Sequence, residues 1–220
     1  MERSNAFLRN VTAFSCLLAA LLLTGCGGSP APEERAPQPT SLPEPAWEPL
    51  PDSLLYYGEI LELQKEEDGS LLRLLMESPK DGKYGMNVGD QTLYVDSGER
   101  RGFDPDSLSV GDRVYVFHSP ITARSLPPQS PAFLIVKNIP MDASCPMYHL
   151  AEKISRQDGR LEITTDHGEK LLICDENTAF INLQGQEADA SLLKEGDHVL
   201  AWYFSQGETA LYPSHLMLLP

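Results

Sequence analysis

Apolar residues along the chain form one unbroken run, then a sparse stretch, and then many short alternating segments. Residues 11–23 are apolar almost throughout, whereas residues 27–51 carry few apolar side chains. From residue 54 onward apolar and polar positions alternate, as in residues 160–163 (RLEI). Alternation with a period of two is typical of half-buried strands. The pattern therefore predicts a mainly β protein behind an apolar leader and a sparse spacer.

The alternating part divides into two stretches, 52–140 and 145–220, with the same order of predicted elements. Each begins with an extended segment containing a tyrosine and continues through an Asp-Gly turn, which is a strong hairpin signal between two such segments. Each then has a single helical turn that starts at an aspartate, Asp104 or Asp189, and ends before a glycine. We predict three strands, a short helix and two strands, twice over.

The predicted strands can be aligned between the two stretches. They are 54–64 with 147–157, 70–76 with 160–166, 92–96 with 170–175, 111–119 with 196–205, and 131–136 with 213–218. This alignment matches Cys174 to Val95. The element order is that of an OB-fold, a five-stranded Greek-key barrel. We therefore predict two tandem OB-like β-barrel modules, with another type of small barrel or one fused β domain as the alternatives.

The first 25 residues have the layout of a secretion signal. Arg3 and Arg9 give a positive start, and an apolar run follows. As a helix this run would reach roughly 20 Å, less than the roughly 30 Å of a bilayer core, so it does not predict a membrane span. The run ends in Leu23-Thr24-Gly25-Cys26.

These four residues resemble the lipobox of bacterial lipoproteins. The resemblance implies cleavage before Cys26 and attachment of a lipid to its thiol. Additional acyl chains such as palmitate would be needed for stable attachment, because one chain binds a bilayer only weakly. The implied location is the extracytoplasmic face of the cell membrane. A plain secretory signal is the alternative.

Residues 26–51 join this lipidated cysteine to the β-rich part and are predicted to be a disordered stalk. Eight prolines lie between residues 27 and 51. Each fixes φ and removes a backbone donor, so the stretch favours an extended polyproline-like spacer with a reach on the order of 75 Å.

The charge of the chain excludes one class of partner. Without residues 1–25, which hold Arg3, Arg9 and Glu2, the chain has 15 basic and 31 acidic residues, a net charge of −16. Nucleic-acid binding depends on basic side chains that neutralise phosphates, so no nucleic-acid partner is expected. The expected partners are the membrane, through the lipid anchor, and a protein or glycan of the cell envelope.

One surface loop is the best candidate for binding. Residues 111–133 resemble a segment of uncharacterised secreted and lipoprotein domains of clostridial-type bacteria, a resemblance that implies an envelope protein and no catalytic residue. Within this segment the prolines of 124–129 (RSLPPQ) stiffen the loop, so Arg124, Ser125 and Gln129 would be presented with little loss of entropy on binding. A stiff connector between two strands is the alternative.

Two cysteines remain after the signal and Cys26 are set aside. Cys145 and Cys174 would lie in a compartment where disulfides form. A bridge would join the linker between the modules to the second module. In the alternative interpretation, Cys174 is a small buried hydrophobe.

Aromatic side chains lie along one side of each predicted fourth strand. Tyr115, Phe117, Trp202 and Phe204 alternate with smaller residues. A side of this kind is a stacking platform if it faces outward and part of a core if it faces inward.

No pattern of residues indicates a particular reaction, metal or cofactor. The chain has no G-x-S-x-G, H-E-x-x-H or C-x-x-C motif. The sequence therefore favours a non-enzymatic binding module of the bacterial envelope. An envelope hydrolase with dispersed carboxylates, of which Asp96 and Asp175 are the first candidates, is one alternative. An accessory subunit of a transport or secretion system is the other.

Overall fold

A computed structural model describes residues 49–157, 159–204 and 208–220. The predicted signal, Cys26 and most of the predicted stalk lie outside these residues. The described part is built of strands and two single 3-10 turns, so the prediction of a mainly β protein is confirmed. No helix within it is both long and apolar enough to span a bilayer. The described residues belong to one compact unit, whose first half is 52–140 and second half 145–220.

The first half contains seven strands and one 3-10 turn. Its strands are β1 (Leu54–Lys65), β2 (Leu71–Ser78), β3 (Gly82–Asn87), β4 (Leu93–Asp96), β5 (Arg101–Gly102), β6 (Arg113–His118) and β7 (Gln129–Lys137). The 3-10 turn is Pro105–Ser107, and the Asp104 carboxylate caps it by accepting from the Asp106 N–H at 2.9 Å. This confirms the predicted cap.

Five of these strands close into a barrel. The order is β3-β2-β1-β6-β7, and parallel pairing of β3 with β7 completes the circle. The other four pairings are antiparallel. Alternate residues of each strand fill the interior, among them Ile60, Leu74, Met76, Met86 and Val116. The interior faces of β1 and β6 thus follow from the period of two in the sequence.

The second half has eight shorter strands and a second 3-10 turn. The strands are β8 (Met147–Leu150), β9 (Lys153–Gln157), β10 (Arg160–Thr165), β11 (Lys170–Cys174), β12 (Ala179–Ile181), β13 (His198–Trp202), β14 (Ala210–Leu211) and β15 (His215–Leu218). They form two four-stranded sheets, β14-β11-β10-β9 and β12-β15-β13-β8. The 3-10 turn is Ala190–Leu192, and Asp189 caps it.

The two halves repeat the same pairings. In each half, the strand that follows the first hairpin pairs in parallel with a strand near the end of that half. These pairs are β3 with β7 and β11 with β14. The next short strand also pairs in parallel with a late strand, β4 with β7 and β12 with β15.

Single hydrogen bonds repeat as well. Gly111 and Gly196, both with positive φ, donate to the carbonyls of Ile60 and Ala151, each at 2.8 Å. Positive φ favours glycine, which explains its presence in both turns.

The strand predicted at residues 92–96 is present, but its place as the third strand of the first half was wrong. Residues 82–87 form β3, and residues 93–96, predicted as the third strand, form the additional strand β4. The apolar alternation does not predict β3, because Gly82, Lys83 and Gly85 interrupt it. Cys174 therefore does not match Val95: it ends β11, the counterpart of β3, whereas Val95 lies in β4.

A shared core joins the two halves. Phe117, Leu134 and Val136 of the first half pack with Leu200, Trp202 and Met217 of the second, in a cluster separate from the interior of either half. A backbone bond from the Gly102 N–H to the Leu183 carbonyl, 2.6 Å long, also crosses the junction. The halves therefore bury an apolar face against each other, in addition to their own interiors.

Candidate functional site

The loop predicted to bind holds two of its three candidate side chains in internal contacts. Arg124 is exposed. The Ser125 hydroxyl donates to the Pro127 carbonyl at 2.7 Å. The Gln129 side chain lies over Gly85 of β3, where a Cβ would come within 2.9 Å of Gln129 Cγ. The loop therefore presents Arg124 to solvent, whereas Ser125 and Gln129 help to hold the loop and the strand pairing.

The structure holds Cys145 and Cys174 as thiols in two different clusters. Cys174 is buried in the interior of the second half. Cys145 packs against the shared core, with its Sγ 3.3 Å from the Pro146 carbonyl oxygen. Burial raises the pKa of each thiol to about 12. Thiols with so high a pKa are poor nucleophiles at neutral pH.

The two carboxylates considered for hydrolysis occupy different structural positions. Asp96 is buried at the end of β4 and accepts from Asn138 Nδ2 at 2.6 Å and from the Glu99 N–H at 3.0 Å. Asp175 follows β11 and accepts from the Asn177 N–H at 2.8 Å. Both therefore stabilise turns, and the two are not equivalents in the two halves.

The aromatic sides of the fourth strands face the junction between the halves. Phe117 and Trp202 are buried in the shared core, and Tyr115 packs against it. Phe204 lies beyond the end of β13 and is exposed. Of the two predicted alternatives, a stacking platform or a core, the structure shows a core for Tyr115, Phe117 and Trp202. This core lies between the halves and not inside either one.

A cleft of about 830 Å³ opens beside this core, and we call it the junction cleft. It is lined in the first half by the segment before β1, the loop between β3 and β4, and strand β7. In the second half it is lined by β8, β13 and the residues after β15. The lining residues used below are Asp52, Asp90, Phe133, Tyr148, His198 and Leu219. Its volume lies within the roughly 300–1,000 Å³ of typical ligand pockets.

Three rings stacked across the two halves form one wall of the junction cleft. Phe133 of β7 stacks on Tyr148 of β8 with centroids 6.2 Å apart, and Tyr148 stacks on His198 of β13 at 4.9 Å with only 10° between the rings. All three are half-buried. Burial lowers the pKa of His198 below its ordinary value, which favours the neutral form of the ring.

Asp52 supplies a carboxylate to the same cleft. Among the described residues, its Oδ2 is the buried side-chain oxygen that has no hydrogen-bond partner. Its Oδ1 lies 3.8 Å from His167 Nε2. Burial, followed by the negative charge of Asp52, raises the pKa of Tyr148 to about 12. Oδ2 is shielded from the cleft, and Oδ1 is the carboxylate oxygen that a ligand can reach, since 25% of the side chain is exposed.

A second polar cluster lies in the interior of the second half. His149 Nε2 is 2.9 Å from the Tyr203 hydroxyl, and its Nδ1 is 2.9 Å from Thr165 Oγ1 and 3.2 Å from an oxygen of Asp166. This Asp–His–Tyr order resembles a catalytic relay. His149 is only 3% exposed, however, and the described cavities are lined by other residues. The hydrogen bonds of this cluster therefore give partners to polar side chains that would otherwise be buried without any.

Comparison with known proteins indicates no function for the site. The chain matches no model of a known protein family and no curated protein. Within the described residues, no three His, Cys, Asp or Glu side chains are grouped closely enough to hold a metal ion.

Sequence reasoning missed the junction cleft. Tyr148 and His198 lie on paired strands of the second half, and Phe133 joins them only because the two halves pack together. Tyr57 and Tyr148 occupy equivalent positions in the structure, but the sequence alignment matched Tyr57 to Leu150, so this pair gave no signal. Asp52, next to the last proline of the stalk, carried no local signal.

Proposed function

We propose that this protein is a membrane-anchored extracytoplasmic lipoprotein that acts as a non-enzymatic binding module in the bacterial cell envelope. The junction cleft is the proposed binding site. The observation that carries this proposal is the combination, in one cleft, of a three-ring wall with the carboxylate of Asp52. Apolar walls with a few placed polar groups are the general composition of ligand sites.

The proposed architecture is a pair of tandem OB-like modules. It is supported by the repeated parallel pairings, by the two capped 3-10 turns and by the two positive-φ glycines that bond to the first strand. In the second module the first and last barrel strands would each be split in two, as β8 and β9 and as β14 and β15. Their placement between the same neighbours as β1 and β7 supports this interpretation.

The anchor is tested separately from the binding site. Growing the host cells with a clickable palmitate analogue should label the full chain, because acylated Cys26 would carry the analogue. Cys26→Ser should abolish the label and move the protein from the membrane fraction. Equal labelling of the two forms would contradict the lipoprotein assignment.

The binding function is tested on the full lipoprotein, solubilised in detergent from its own host. The affinity tag belongs in the stretch 27–48, since Leu219 and Pro220 line the junction cleft and a C-terminal tag would crowd it. Co-purified proteins and glycans are quantified by mass spectrometry. We compare the unchanged chain with a double variant of the cleft, Phe133→Leu with His198→Gln, and with the loop variant Arg124→Gln.

The proposal predicts an envelope component whose recovery falls at least tenfold in the cleft variant and is unchanged in Arg124→Gln. Loss in Arg124→Gln alone would move the binding site to the loop. A recovery that depends on neither surface would contradict the binding function. Thermal unfolding of each variant verifies that the folded state persists.

A further inference from the structure

We infer that the junction cleft binds a short peptide segment through a lysine side chain, whose ammonium group pairs with Asp52. This inference rests on the proposed binding function and names its ligand class. Asp52 and Asp90 are acidic, and none of the residues that line the cleft is Lys or Arg. A cation is therefore the charge that this cleft favours.

The apolar part of the lining matches the rest of a lysine side chain. Phe133, Tyr148 and Leu219 present apolar surface in the same cleft as the carboxylate. A lysine buries its four-carbon stem along apolar surface while its charged end reaches a polar group. An ammonium group near aromatic faces is further stabilised by cation–π attraction.

The geometry of Asp52 favours ammonium over guanidinium. Arginine binds carboxylates best through two parallel hydrogen bonds to both oxygens. Here Oδ2 is buried, so Oδ1, which lies 3.8 Å from His167 Nε2, is the oxygen left for a ligand. One available oxygen suits a compact ammonium group, which acts as a point charge.

The size of the cleft favours a segment over a single amino acid. A cavity of about 830 Å³ is near the upper end of the roughly 300–1,000 Å³ range of small-molecule pockets. Residues on either side of the lysine would fill the remaining volume, and half-buried Asn87 and exposed Gln91 of the lining offer hydrogen bonds to a peptide backbone.

The test uses the full chain in detergent and isothermal titration with the peptide acetyl-Ala-Ala-Lys-Ala-Ala-amide. The control peptide replaces lysine by norleucine, which keeps the apolar stem and lacks the ammonium group. A third peptide carries arginine. We expect the lysine peptide to bind at least tenfold more tightly than the norleucine peptide and several-fold more tightly than the arginine peptide.

Two variants locate the binding. Asp52→Asn should weaken binding of the lysine peptide at least tenfold, whereas Asp81→Asn makes the same charge change in an exposed turn outside the cleft and should leave it unchanged. His198→Gln removes one ring of the stack without altering Asp52 and should also weaken binding. The second variant keeps the test valid if Asp52→Asn disturbs the fold.

Other outcomes overturn the inference. Equal binding of the lysine and norleucine peptides would show that the cleft does not select a cation. Binding of glucosamine oligomers that Asp52→Asn abolishes, with no peptide binding, would assign the ammonium site to an amino sugar instead. If no peptide binds but an envelope component is still lost in the cleft variant, the ligand class is wrong and the binding function stands.

Discussion

Trp202 of the second half donates its indole N–H to the Ser97 hydroxyl of the first half across 3.0 Å, and both side chains are buried. The bond lies at the edge of the shared core, so the two halves are connected by polar as well as apolar contacts. An arrangement of this kind should make the halves unfold together, because neither can unfold without exposing the apolar face of the other.

Trp202→Phe should lower the free energy of unfolding by about 1–3 kcal/mol, because the Ser97 hydroxyl would stay buried without its partner. Urea unfolding followed by circular dichroism measures the change. Ser97→Ala is the matched control and should cost less: it also leaves one buried group unpaired, but only Trp202→Phe opens a cavity in the shared core as well. Two separate unfolding transitions in the unchanged protein would contradict a shared core.

Thr92 and Thr178 should be equally important for stability. Each hydroxyl donates to a backbone carbonyl before or within the last strand, Ala132 at 2.8 Å and Pro213 at 2.9 Å, and each accepts a backbone N–H. Replacing either by valine keeps the shape and leaves these groups unpaired, so each variant should lose about 1–3 kcal/mol. Thr209→Val, at an exposed position, should change stability by less than about 0.5 kcal/mol. Urea unfolding of the three variants measures this, and a large difference between Thr92→Val and Thr178→Val would contradict the structural repeat.

How much of this structure the sequence predicted depended on whether a strand carries its own apolar alternation. Strands β1, β6, β10 and β13 do, and the sequence predicted all four within a few residues. Strand β3 does not, and its position depends on pairing with β7, where the Gly85 N–H donates to the Pro128 carbonyl at 2.9 Å. Sequence alternation reports burial of a strand's own side chains and says little about such a partner-dependent strand.

The candidate site was less predictable for a related reason. Arg124, Ser125 and Gln129 were chosen because a proline-stiffened loop is visible in the sequence, yet two of the three make internal contacts. The junction cleft needs Tyr148 and His198 to meet a ring from the other half. That contact depends on how two separately folded faces pack, which local patterns do not contain.

Stability should depend on pH through His167. Its Nε2 lies 2.9 Å from the Leu50 carbonyl oxygen, and this contact, together with the charges of Asp52, Glu152 and Asp166, raises its pKa above the ordinary 6.5. A raised pKa means that the folded state binds the proton more tightly. The stabilisation is therefore fully present below pH 6.5 and is lost as the pH rises through the folded-state value.

The thermal midpoint of the unchanged protein minus that of His167→Gln should therefore be largest at acidic pH and shrink as the pH rises above neutrality. The ring is exposed, so the effect is small and should weaken further in high salt. An NMR titration of the His167 ring measures the pKa directly. A value at or below 6.5 would contradict the contact with Leu50.

Tyr203→Phe should lower the free energy of unfolding of the protein by about 1–3 kcal/mol. The change keeps the ring but removes the hydroxyl that lies 2.9 Å from His149 Nε2, which would leave that nitrogen buried without a partner. Urea unfolding measures the loss. Tyr212→Phe is the control, since Tyr212 is exposed and should tolerate the change. Equal stability of the two variants would mean that His149 finds another partner or water.

Cys145 and Cys174 should resist alkylation in the folded protein and react once it is unfolded. Burial raises both thiol pKa values to about 12, so almost no thiolate exists at neutral pH and the reagent has little access to either sulfur. The full chain is treated with iodoacetamide at pH 7.5, with and without 8 M urea and without reductant, and the two cysteine-containing peptides are quantified by mass spectrometry. Modification of both only in urea is the expected result. Protection that persists in urea and disappears only after reduction would instead demonstrate a disulfide between Cys145 and Cys174, and would require a rearrangement of the linker before β8, since the two thiols lie in different clusters.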